Sequence, residues 1–137
     1  MSSGWRETQD NETRCAWQRL FLQVESEKAG YSTIAPPVIK GESGVTHRFS
    51  FLCESSETKM GFDIYKSLNE AEVMTTYIKK FDTGARCFIV NLGEAPDGPT
   101  TLLITEYHIP VLAGGGIESV TPFSNEANGA QQVKAGP

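Results

Sequence analysis

Cysteine and histidine are scarce in this chain of 137 residues, with three of the first and two of the second. Cys15, Cys53 and Cys87 stand far apart, and neither His47 nor His108 has a cysteine at the close spacing of a zinc ligand pair. An odd number of scattered cysteines also argues against a disulfide framework. Basic charge is short as well. Twelve Lys and Arg against seventeen Asp and Glu leave a net charge of −5, opposite to the usual balance of a DNA-binding domain. No apolar run approaches the roughly 20 residues of a membrane span. The first fifteen residues are polar and carry Glu7, Asp10 and Glu12, so no secretory leader is visible. A Gly-x-Ser-x-Gly turn is absent, and two histidines with no signature around a nucleophile give no serine or cysteine hydrolase pattern. These absences predict a cytoplasmic protein with reduced thiols, no membrane partner and no cofactor.

What is present fits one ordinary domain, since hydrophobic residues make up 39% of the chain and can fill a core. Residues 1–10 read as a polar N-terminal segment, 11–120 as a single α/β domain and 121–137 as a flexible tail of Asn, Gly, Ala and Gln. From about Asn11 to Ala29 the spacing predicts a helix that docks through Trp17, Leu20, Phe21 and Val24 and ends at Gly30. Ser32 to Ile39 is extended but interrupted by Pro36-Pro37, which confines it to an edge or a bulge. Thr46–Glu54 and Lys59–Tyr65 alternate in period two and predict a hairpin. Asn69 with Glu72 three residues on has the form of a helix start. The second helix then follows, its stripe Ala71, Met74, Tyr77, Ile78 and Phe81 closing at Asp82-Thr83-Gly84. Ala85–Leu92 is apolar enough for a strand covered on both faces. Thr100–Tyr107 is ambiguous, because β-branched residues favour a strand and Pro99 favours a helix start. Ile109–Ala113 is a last short strand, and Gly114-Gly115-Gly116 breaks the chain. Phe49, Phe51, Phe62, Ile64, Ile89 and Val90 are expected to share one core.

Four stretches carry a resemblance to a known superfamily. They are Ser43-Gly44-Val45-Thr46-His47-Arg48-Phe49-Ser50, Met60-Gly61-Phe62-Asp63-Ile64, Ile78-Lys79-Lys80-Phe81-Asp82-Thr83-Gly84, and Leu102-Leu103-Ile104-Thr105-Glu106-Tyr107-His108-Ile109-Pro110-Val111. With the order of elements they resemble the restriction-endonuclease-like, or PD-(D/E)XK, nuclease superfamily, and within it a group of small archaeal proteins. The likeness spans roughly residues 11 to 113. It implies an αβββαβαβ topology, a mixed central sheet of about four or five strands flanked by helices, with Thr100–Tyr107 as a helix.

The resemblance also implies a site. Acidic residues on the two hairpin strands would hold Mg²⁺ through hard oxygen ligands, and a lysine two positions beyond the second acid would orient the attacking water. The chain departs from that pattern. Ser50 stands at the first acid, Asp63 matches the second, and Tyr65 replaces the lysine, with Lys66 one position off. Glu57-Thr58-Lys59 has the acid-x-lysine spelling but falls in a predicted turn, and Glu7 or Glu12 could supply a first-helix acid. The expectation is therefore a non-catalytic nuclease-like module that binds a protein partner, a second copy of itself or a nucleic acid. Lys79, Lys80 and Arg86 form its candidate basic patch. The alternative is a divergent Mg²⁺-dependent nuclease with Asp63 and Glu12 as metal ligands and Asp63, Tyr65 and Lys66 as candidate catalytic residues; a structural subunit is the third reading. His47, in line with Phe49 and Phe51, reads as a core histidine, and Asp63 requires a hydrogen-bonding partner on an apolar strand.

Overall fold

The computed structural model describes residues 3–113 and Phe123, with side chains from residue 12. The elements run α1 (Ser3–Lys28), β1 (Ser32–Thr33), β2 (Val38–Lys40), β3 (Thr46–Arg48), β4 (Phe51–Glu54), β5 (Lys59–Tyr65), α2 (Glu70–Thr83), β6 (Arg86–Asn91), α3 (Gly98–Glu106) and β7 (Val111–Ala113). Five strands form one mixed sheet in the order β1-β4-β5-β6-β7, and β2 with β3 forms a separate two-stranded ribbon. β1, β4 and β5 pair antiparallel, whereas β5, β6 and β7 run parallel. Parallel neighbours need crossovers, and α2 and α3 supply them. The fold is thus α/β, with a central sheet flanked by helices.

Local chemistry explains the element ends. Asn69 caps α2 in a reciprocal box with Glu72, and Gly84 closes it in the left-handed region at φ 74°. Asp97 accepts from the Thr100 amide at 2.9 Å and Pro99 sits in the first turn, so Thr100–Tyr107 is helical through Glu106. The N-terminal helix begins at Ser3 and not near Asn11, so the polar opening segment continues the helix. No described helix is long and apolar enough to cross a membrane.

The period-two alternation of β5 divides the interior. Met60, Phe62 and Phe88, Val90 pack with Phe51, Cys53 and Leu22 under α1. On the other face, Ile89 packs with Val73, Leu68 and Ile109 under α2 and α3, and Phe49 joins Leu52 and Cys87 in a third cluster. The expected single core is therefore three clusters on two faces of one sheet.

The docked face of α1 is Cys15, Gln18, Leu22 and Ser26, while Trp17, Leu20 and Val24 are 63%, 50% and 42% exposed. Gln18 and Leu22 lie roughly 100–160° around the helix from Trp17, Leu20 and Val24, so α1 docks on nearly the opposite side from the one its large apolar residues suggest. Thr46–Glu54 is not one strand. It breaks at Phe49-Ser50, where Ser50 turns its hydroxyl to the Ile64 amide, and its halves pair with β2 and β5 respectively. Phe123, inside the tract read as a flexible tail, is buried at 2% exposure and meets Tyr31 and Phe62 at ring distances of 5.4 and 5.6 Å. The glycine run and the rest of that tract lie outside the described residues.

Candidate functional site

Asp63 lies on β5 facing α2, and its carboxyl is almost wholly enclosed. A carboxylate there must find donors. Thr76 Oγ1 donates to Oδ2 at 2.8 Å and Lys79 Nζ to Oδ1 at 3.0 Å. Thr76 and Lys79 stand three residues apart on α2 and so share one helix face. This is why the buried side of α2 is Val73 and Thr76, and why Phe81 of the expected apolar stripe is 81% exposed. Lys79 also donates to the Arg48 carbonyl at 2.5 Å and lies 5.0 Å from the centroid of the Phe49 ring. Gly61, one residue pair before Asp63 on the same strand face, has no Cβ to oppose that ring. A methyl group on Gly61 would run into Phe49. The ammonium is thus held by a carboxylate, a carbonyl and an aromatic face.

The other candidate residues separate. Tyr65 shares the Asp63 face, and its hydroxyl is 3.4 Å from Thr76 Oγ1. Burial first, then the Asp63 charge, push its pKa up to about 12, so the phenol stays protonated. Lys66 is exposed beyond the strand end, and Glu12 is exposed on α1; the side chain of Glu7 lies outside the described residues. Glu57 and Thr58 form a β4–β5 turn around the Ser55 hydroxyl, as the spelling's position predicts. Lys79, Lys80 and Arg86 form no common patch. Lys79 is turned to Asp63, Lys80 donates to the Tyr107 and His108 carbonyls, and Arg86 lies over the Phe88 ring. Among the described residues, no three carboxylate, imidazole or thiol side chains converge as a metal site would require. Cys53 and Cys87 are buried thiols pushed up to about 12 by desolvation.

His47 is largely enclosed and its ring nitrogen is satisfied, in the β2–β3 ribbon and not in the central sheet. Its Nε2 is 2.7 Å from Asp82 Oδ2, and Ser43 donates to the same carboxylate from its hydroxyl at 2.6 Å and its amide at 2.9 Å. These bonds, the Ser43 hydroxyl first, hold Asp82 down to about 2. The serine and the histidine both address the aspartate, so the trio is a clamp fastening the β2–β3 ribbon to the end of α2, with no base on the serine. In the sequence Asp82-Thr83-Gly84 marks only a helix end. Asking which donors three residues apart on the next helix could reach a buried Asp63 would have found Thr76 and Lys79.

An open groove of about 670 Å³ lies beside the Asp63 cluster. Arg19 of α1 and Arg48 of β3 line it, together with the apolar Ile34, Pro37 and Phe49 and with Tyr65. Neither arginine was singled out by the sequence, where each is one isolated cation.

Comparison with known proteins adds the fold and little else. No family model matches the chain, and no curated protein matches it. A solved structure described as the crystal structure of a protein of unknown function, AF1548, superposes with a TM-score of 0.53 at 13% identity, over 71% of this chain. The matched part spans 56% of that protein's length. The α/β fold is shared.

Proposed function

We propose that this chain is a nuclease-like module that binds a protein and cuts nothing, and that it does so through the outward face of α1. The observation that carries the reading is the exposure of Trp17, Leu20 and Val24 together on one helix face, three large apolar side chains that the fold leaves unburied. A contiguous apolar stripe with a tryptophan is the composition of an interface centre. The net charge of −5 weighs against a polyanion as the partner. The occupant that fits is a second copy of the chain. Two α1 helices packed antiparallel about an axis beside Leu20 set Trp17 against the partner's Val24, large on small, and the pairing is self-complementary as a two-fold interface requires.

The non-catalytic part rests on Asp63. Both carboxylate oxygens take donors from α2, and Ser50, at the expected first acid, accepts a backbone amide. One observation favours the nuclease alternative: Lys79 brings to Asp63 the cation that Tyr65 fails to supply. It lacks the second carboxylate that a hard divalent ion needs.

Sedimentation analysis of the full chain tests the first claim. A dimer that becomes monomeric in Trp17→Asp, with its amide spectrum otherwise retained, supports it; a monomeric wild type overturns it. Incubation with supercoiled DNA or RNA and Mg²⁺ or Mn²⁺ tests the second. No cleavage is expected, and nicking that disappears in Asp63→Asn would overturn it.

A further inference from the structure

We propose that the groove between α1, the β1–β2 connection and β3 is a binding site for a small phosphate monoester with an apolar body. The charge at this place differs from that of the chain. Among the described residues Asp63 is the only acidic side chain lining the groove, and Lys79 pairs with it. Arg19 and Arg48 therefore leave, among the described residues, two uncompensated positive charges at the groove, in a protein of net charge −5. Among the described residues neither guanidinium makes a hydrogen bond or ion pair, in contrast to Arg14, which donates to the Leu92 carbonyl at 2.6 Å. Two planar forks of fixed donors suit a phosphate dianion, which has acceptors for both.

The groove adds a hydroxyl and a wall. Ser50 Oγ accepts from the Ile64 amide at 3.0 Å, which leaves its own O–H to donate outward. Ile34, Pro37 and Phe49 offer apolar surface beside the arginines. The volume is that of a small-molecule site. A long polyanion gains nothing from an acidic surface beyond the groove, whereas a compact ligand feels mainly the local cations. The ligand class that meets all three features is a monoester whose phosphate lies by Arg19 and Arg48 and whose body lies on Phe49.

Phenyl phosphate is the probe. The full chain, ¹⁵N-labelled, is titrated with it, with benzoate and with a short single-stranded oligonucleotide. Phenyl phosphate should give saturable amide shifts around Ile34, Arg48 and Phe49. Its affinity should fall roughly tenfold or more in Arg19→Gln and in Arg48→Gln, the loss expected when one charge-assisted donor set is removed. Both arginines are exposed, so each variant should keep the parent's spectrum elsewhere. Lys28→Gln, a charge lost from the same helix away from the groove, should bind unchanged. Trp17→Asp should also bind unchanged, which separates this site from the α1 interface. The proposal is overturned by absence of saturable shifts, or by unchanged affinity in both arginine variants. It is equally overturned if benzoate or the oligonucleotide binds the groove more tightly than phenyl phosphate.

Discussion

Lys79 of α2 reaches across to Asp63 of β5, Nζ to Oδ1 at 3.0 Å, with 14% and 5% of the two side chains exposed. The pair ties the helix to the strand beneath it and occupies the carboxylate that would otherwise be free for a metal. Removing one partner leaves a buried charge behind. Lys79→Met should therefore destabilise the fold by about 3 kcal/mol, and Lys79→Met combined with Asp63→Asn should recover most of that. Chemical denaturation of the four proteins in the cycle checks it. Equal stability of Lys79→Met and wild type would show that the pair contributes nothing.

Gly61 sets the position of Lys79 indirectly, because the Phe49 ring under the ammonium lies where a Cβ on residue 61 would be. Gly61→Ala should cost about 1–3 kcal/mol through forced repacking. It should also lower hydrogen-exchange protection at Ile64, whose amide is bonded to Ser50 next to the displaced ring. Gly84→Ala is the contrasting control, since its cost comes from φ 74° and not from a neighbour.

Asp82 gives the ribbon an acid limit. Its carboxyl is lowered from 3.8 to about 2 by Ser43 and His47. A depressed folded-state value means that the clamp's contribution is fully present above the unfolded value near 3.8. That contribution is lost as pH falls through about 2. The melting temperature of Asp82→Asn should lie below wild type at pH 6 and converge on it as pH approaches 2. A difference that stays constant over that window would contradict the clamp.

Phe123 joins the core far beyond the last described strand. Phe62 lies between it and Phe88, at 5.6 and 5.0 Å between ring centroids. Phe62→Ala and Phe123→Ala should each cost on the order of 3–5 kcal/mol. Truncation after Val120, which removes Phe123, should lower the melting temperature comparably. A melting temperature unchanged on removing Phe123 would place the ring outside the cooperative core.

By itself the sequence determined the elements that rest on local chemistry. Period two over Lys59–Tyr65, the Asn69–Glu72 box, Gly30 and Gly84 at helix ends and the apolar run of β6 are short-range signals, and each element stands where they put it. Asp63 was legible as a buried acid in need of a partner, for the same reason. Only the tertiary structure decided the rest. Helical period says that α1 has an apolar side, but the sheet beneath chose Leu22 and Gln18 over Trp17, Leu20 and Val24. The partners of Asp63 and of His47 come from residues 16 and 35 positions away. Two arginines with no sequence pattern become neighbours of one groove because α1 and β3 both border it. Periodicity and capping act within a few residues along the chain. Buried charges and helix faces are decided by whatever the fold brings within a few ångströms, and that distance is not written in sequence separation.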